Sequence, residues 1–237
     1  KFVSLKNILF NLVLLASPAY LLSARKLDPA KNIAIIFDID DVILDKKMGG
    51  IITKHIISPW KWRTLSRVKR LKKQLGSGAA AEEMTLAARK RGWKKAARFL
   101  EKIAQNKKPI TGTVNIIQEL KNKKIPLYVG TNMGKQSFNA LLNDKKHTSI
   151  GAIFKNDFNL DHPQTVDYLA KDTIKKPDTR FFDQIIANNR LDLNTTQVIF
   201  IDDKIANIQA AEKVGLIGVH FKNPKQLRTD LQTLGIL

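Results

Sequence analysis

Three apolar runs in this chain each lead into residues that can do chemistry. Ile33-Ala34-Ile35-Ile36-Phe37 is followed by Asp38-Ile39-Asp40-Asp41, Pro126-Leu127-Tyr128-Val129 leads to Thr131-Asn132, and Val198-Ile199-Phe200-Ile201 is followed by Asp202-Asp203. One Asp after a strand commonly does no more than cap the next helix. Carboxylates after two runs and a hydroxyl after a third point instead to a shared polar crevice. Asp38, Asp40, Asp202 and Asp203 brought together there would resist ionising side by side. A hard divalent cation relieves that repulsion, and a ligand set made only of oxygen favours Mg²⁺ over zinc. Such a cation calls for a substrate with anionic oxygens. Lys175-Lys176-Pro177-Asp178 supplies positive charge just before an expected helix over 179–188, with Pro177 at the first helical position and the helix N-terminus adding to the anion site.

These residues need a scaffold that brings strand ends to one edge. Short continuous apolar runs suit strands buried on both faces. A weaker fourth run is Ile217-Gly218-Val219-His220-Phe221. Helical patterns lie between the runs, over 113–123, 135–142, 178–188 and 205–214. The alternation predicts an α/β fold: a Rossmann-like parallel sheet with helices on both faces and its ligand at the carboxyl ends of the strands.

Residues 46–111 interrupt the alternation. They show no convincing strand, helix formers dominate 66–75 and 79–105, and Gly76-Ser77-Gly78 reads as the break between them. The expectation is an all-helical cap inserted after the first strand, within a core made of 25–45 and 112–237. Between Lys46 and Lys108 nineteen Lys/Arg stand against three acids, Glu82, Glu83 and Glu101. The cap therefore carries most of a formal charge of +20, from 41 Lys/Arg against 21 Asp/Glu. Charge of this kind solvates a helical face, steers phosphorylated small molecules, or docks on nucleic acid or an anionic membrane. Trp93, followed by Ala96, Ala97, Phe99 and Leu100, suits the cap's own core, whereas Trp60 and Trp62 cannot share one helix face. His55 reads as structural.

The chain has no cysteine, which excludes disulfides, thiolate metal sites and a cysteine nucleophile. Its first 24 residues differ from the rest: Lys1 and Lys6 precede the apolar stretch Ile8–Ala16, and Ser17-Pro18-Ala19 offers small residues. That pattern suits a signal peptide or a membrane anchor, favouring the cell envelope or secretion. The alternative is a buried helix in a cytoplasmic protein.

Over about residues 32–237 the sequence resembles the haloacid dehalogenase superfamily. Four motifs carry the resemblance in order: Phe37-Asp38-Ile39-Asp40-Asp41-Val42, Val129-Gly130-Thr131-Asn132, Lys176-Pro177, and Phe200-Ile201-Asp202-Asp203 with Asn207, Ala210-Ala211 and Gly215 downstream. The resemblance implies that Asp38 is a nucleophile that becomes phosphorylated and Asp40 a general acid and base. It implies that Thr131, Asn132 and Lys176 hold the phosphoryl group. Asp38, the Asp40 carbonyl, and Asp202 or Asp203 would ligate Mg²⁺, with Asp203 ranked slightly ahead of Asp202. An acid at Asp40 distinguishes phosphoryl chemistry from halide release. The expected activity is Mg²⁺-dependent hydrolysis of a small phosphomonoester. Phosphomutase chemistry, or a binding role for the basic cap, stands as the alternative. Asp41 departs from the family, where glycine is common.

Overall fold

The structure is a computed structural model that describes residues 27–46, 59–76, 79–105, 107–143 and 148–237. The apolar segment 1–24, His55 and the side chain of Trp60 lie outside the described residues. Among the described residues no helix is long and apolar enough to cross a membrane.

Five parallel strands form the central sheet: β1 (Asn32–Phe37), β4 (Leu127–Gly134), β5 (Asn159–Val166), β6 (Thr196–Asp202) and β7 (Ile217–His220). Their spatial order is β5-β4-β1-β6-β7, which puts the three chemistry-bearing strands side by side at the centre. Residues 33–37 of β1 pair in register with Gln197–Ile201 of β6, and Ile35–Phe37 with Leu127–Val129 of β4.

The alternation of side chains along these strands builds two cores. Ile35, Phe37, Val129, Ile199 and Ile201 face one way, onto Ile116, Ile117 and Leu120 of α4 (Thr111–Asn122), Phe138 of α5 (Lys135–Leu142), Phe154 of α6 (Thr148–Asp157) and Leu227 and Leu231 of α9 (Pro224–Thr233). Ala34, Ile36, Tyr128, Val198 and Phe200 face the other way, onto Phe181, Phe182 and Ile185 of α7 (Thr179–Asn188) and Ile208 and Ala211 of α8 (Ile205–Lys213). Both faces of the sheet are covered, as continuous apolar strands require.

Several expectations need correction. The insert is not wholly helical: β2 (Leu44–Lys46) and β3 (Lys107–Pro109) pair antiparallel into a short ribbon where the chain leaves and re-enters the core. Three-residue strands rich in lysine give no hydrophobic signal. The helical pattern over 79–105 divides into α2 (Ala81–Lys90) and α3 (Lys94–Gln105), broken at Gly92, whose φ of 66° is readily adopted only without a side chain. Strand β5 and helices α6 and α9 went unread. The sequence of β5, NLDHPQTV, is polar and contains Pro163, which an edge strand tolerates. Strand β4 does not end at Val129 but runs on through Thr131 and Asn132 to Gly134. Pro177 is not the first residue of α7. It precedes Asp178, whose side chain accepts from the Arg180 amide and caps the helix.

Helix α1 (Pro59–Leu75) completes the insert. Leu71, Ala88, Ala96, Ala97 and Leu100 form its own small core, with Val68, Met84, Ala87 and Trp93 packed against it. Trp93 is thus part of that core, as expected, and the guanidinium of Arg67 lies 5.3 Å from its ring centroid. Trp62 does face outward, 62% exposed. Two of the insert's three acids dock α2 on the core. Glu82 accepts from the Ser137 hydroxyl at 2.6 Å, and Glu83 pairs with Lys175 at 2.5 Å. A Cβ at Gly134 would fall 1.8 Å from the Glu82 carboxylate, so a side chain there would push that carboxylate aside.

Candidate active site

At the carboxyl end of β1 the backbone turns sharply. Ile43 and Leu44 both donate to the Ile39 carbonyl, and Asp41 donates to that of Leu44. The turn holds Asp41 at φ 67°, a left-handed conformation that glycine adopts freely and aspartate tolerates better than most residues. This accounts for Asp41 at a position where the family resemblance led us to expect glycine. The requirement is on the backbone. Ile39, Val42, Ile43 and Leu44 are fully buried and fix the turn from below. Asp38 is buried on one side of it, and one of its oxygens accepts from the Ile39 amide at 2.8 Å.

Lys176 reaches into the same space from the loop before α7. Its ammonium lies 3.0 Å from Asp38 Oδ1 and 2.7 Å from Asp202 Oδ2, and it donates to the Gly130 carbonyl at 2.8 Å. Asp202 is held in turn by Asn207, whose amide donates to both carboxylate oxygens at 2.9 Å, and by the Lys204 backbone N–H at 2.8 Å. Carboxylate oxygens of Asp38, Asp202 and Asp203 lie within 4.8 Å of one another. Two buried carboxylates and a third, partly buried one face a single buried ammonium. The negative excess and the all-oxygen donor set fit a hard divalent cation. Asp203 lies at the rim, 3.8 Å from the Lys204 ammonium, and its carbonyl is 3.0 Å from His220 Nε2.

Thr131 is buried, and its hydroxyl accepts from the Met133 amide at 3.2 Å. Asn132, expected on the phosphate, has its side chain engaged elsewhere. Its amide nitrogen donates to the Lys176 carbonyl at 2.9 Å and its oxygen accepts from the Lys176 N–H at 2.8 Å. That two-point grip sets the backbone from which the Lys176 side chain extends. Tyr168, which the sequence did not single out, donates to the Asn132 carbonyl at 2.8 Å. Lys107 was also missed: it donates to Asp40 Oδ1 at 2.6 Å. Nothing in a run of basic residues marks one lysine as turned inward.

The electrostatics follow from this packing. Burial alone would lower the Lys176 ammonium, but Asp202 and Asp38 together hold it above its ordinary value. Burial raises the Asp38 carboxyl, Lys176 pulls it back, and Asp202 and Asp40 raise it again, so that it is pushed up to about 6. Burial, with Glu83 and Glu82 nearby, likewise raises the Tyr168 phenol.

Comparison with known proteins identifies the family and the fold. The family of haloacid dehalogenase-like hydrolases matches residues 35–219. The chain is 24% identical over 128 residues to the sesquiterpene phosphatase astK of Aspergillus oryzae, covering 54% of this chain and 58% of that protein. It is 36% identical over 62 residues to flavin mononucleotide hydrolase 1 of Arabidopsis thaliana, covering 26% of this chain and 24% of that one. The chain thus spans less than two thirds of either relative. An L-2-haloacid dehalogenase of known structure superposes with a TM-score of 0.57 at 10% identity, covering 85% of this chain and 99% of that one, which shows a shared fold.

The raised Asp38 carboxyl has a consequence for stability. The folded state binds its proton more tightly than the unfolded chain does, so this group's stabilising contribution is complete below 3.8 and is lost as pH rises to about 6. With a chelator present, the urea midpoint of the wild type should fall relative to that of Asp38→Asn across this window. Parallel pH profiles for the two proteins would contradict the burial and charge arrangement described for Asp38.

Proposed function

Since this chain belongs to the haloacid dehalogenase-like hydrolases, we propose that it hydrolyses a small phosphomonoester through an aspartyl-phosphate on Asp38. The observation that carries the reading is the buried set of Asp38, Lys176 and Asp202, with a second acid, Asp40, two residues after the nucleophile. The names of the two curated relatives, a phosphatase and a flavin mononucleotide hydrolase, support phosphoryl chemistry.

In this mechanism a carboxylate oxygen of Asp38 attacks phosphorus as the bond to the leaving oxygen breaks. Lys176 and the Thr131 hydroxyl hold the transferring group, whose spreading charge needs fixed donors. Asn132 acts through Lys176, by gripping its backbone. The Asp40 carboxyl gives its proton to the leaving oxygen. As a carboxylate it then takes a proton from the water that attacks phosphorus, breaks the acyl phosphate and regenerates Asp38. Asp38, Asp202, Asp203 and the Asp40 backbone carbonyl would hold Mg²⁺, which when bound offsets charge on the phosphoryl oxygens. A phosphomutase would use the same steps with a substrate hydroxyl in place of water.

Asp38→Asn should fold normally and lose turnover of p-nitrophenyl phosphate, and a chelator should abolish wild-type activity reversibly. Asp40→Asn should reduce turnover of an alkyl phosphate by roughly 10²–10⁴-fold, because its leaving group needs protonation. Full activity in purified Asp38→Asn would overturn the reading.

The insert's charge has a role in the same proposal. Lys69, Arg70, Lys72 and Lys73 are exposed on α1, and steering anionic substrate is the function proposed for them. Neutralising all four should lower kcat/KM at low salt, with the effect fading near physiological ionic strength, where the screening length is about 8 Å. Exposed Trp62 on the same helix favours a second reading, docking on nucleic acid or an anionic membrane. Salt-sensitive binding of wild type to either, lost in the neutralised variant with small-substrate hydrolysis intact at low salt, would replace steering by docking.

A further inference from the structure

Lys107 differs from every other lysine of the insert whose side chain is described. Lys69, Lys72, Lys73, Lys90, Lys94, Lys95, Lys102 and Lys108 are exposed, whereas the Lys107 side chain is 7% exposed. It is the first residue of β3, where the chain returns from the insert, and its backbone register partner Lys46 is the last residue of β2. Its ammonium contacts Asp40 Oδ1 at 2.6 Å, and the Asp40 side chain is itself only 15% exposed. Two further links tie this ribbon to the turn after β1: Ile110 donates to the Ile43 carbonyl, and Asp40 bridges to Leu44.

Burying a lysine is costly unless its charge is met, and chain geometry alone does not require it here. A lysine that only solvated the ribbon would point outward, as Lys108 does. Instead one of the two Asp40 oxygens is fixed by a charged donor from the return strand. The carboxylate has lost the freedom to rotate away. It remains on the same turn as Asp38, two residues on, and near enough to raise that carboxyl.

We propose that Lys107 is a positioning residue. It anchors one oxygen of Asp40 so that the other is presented to the leaving group and then to water, and it ties that placement to the base of the insert. The inference rests on the reading of Asp40 as acid and base given above. The bond is a charge-assisted contact between mostly buried groups, the kind whose loss is felt most strongly. Displacing a proton donor by a fraction of an ångström is enough to slow transfer.

The test is a double-substitution cycle on kcat/KM, which reports the phosphoryl-transfer step, with an alkyl phosphate and with p-nitrophenyl phosphate. Lys107→Met should lower kcat/KM on the alkyl phosphate by about tenfold or more, part of the range set by losing the acid outright. The loss on p-nitrophenyl phosphate should be smaller, because that leaving group departs without a proton. Lys107→Arg should recover most of the loss. In the Asp40→Asn background Lys107→Met should cost nothing further. Multiplicative losses, or equal losses on the two substrates, would overturn the proposal while leaving the reading of Asp40 intact. Unchanged alkyl phosphate turnover in Asp40→Asn would overturn both. Should Lys107→Met fail to fold, Lys107→Gln keeps a hydrogen-bond donor without the charge, and the same cycle decides with that variant.

Discussion

The buried ammonium of Lys176 organises this site. Lys176 sits between Asp38 and Asp202 and donates to the carbonyl of Gly130, so that the ends of β1 and β6 and the middle of β4 meet on one cation. Each partner alone would be expensive to bury. Together they are tolerable, but removing the ammonium would leave two buried carboxylates uncompensated, the kind of loss that typically costs about 3–5 kcal/mol. The apolar wall nearby is aromatic. The rings of Phe200 and Phe181 have centroids 5.1 and 5.8 Å from the ammonium, and their electron-rich faces suit a positive charge. The same two rings belong to the core between the sheet and α7 and α8, which joins the packing of the fold to the charge balance of its site.

That dependence explains much of what could be read from the residues alone. The central strands β1, β4 and β6 are buried on both faces, so their sequences are continuous apolar runs and their polar ends stand out. Asp38, Asp202 and the Gly130 carbonyl converge on Lys176 because the sheet order sets β4, β1 and β6 side by side. Asn132 shows the limit of that reasoning. The family resemblance implied a phosphate ligand there, and the structure shows both ends of its side-chain amide on the Lys176 backbone. Which partner a polar group selects depends on a loop 44 residues away, and no local pattern records it.

The elements that went unread share a physical cause. Strand β5 lies at the sheet edge, half exposed and polar, so it lacks the apolar run that betrays a central strand. The β2–β3 ribbon is held by backbone pairing and by the Lys107–Asp40 contact rather than by apolar side chains alone. Asp41 is the reverse case. Its departure from glycine was visible in the sequence, but its meaning required the backbone angle.

The insert has two electrostatic faces. Its lysines and arginines are mostly turned outward, whereas Glu82 and Glu83 are spent on the core, meeting Ser137 and Lys175 beside the site. Charge on the insert thus faces solvent on its basic side and fastens α2 over β4 on its acidic side. The Glu82 carboxylate occupies the space beside Gly134 that a side chain there would take.

The central claim is that the phosphoryl group passes through Asp38. Rapid acid quench of the protein mixed with Mg²⁺ and a phosphomonoester, followed by mass spectrometry of the digested chain, tests it most directly. The account predicts one added phosphoryl group on the peptide carrying Asp38, sensitive to hydroxylamine as an acyl phosphate should be. A phosphoryl group on a different residue, or single-turnover phosphate release that runs ahead of any label on Asp38, would contradict it.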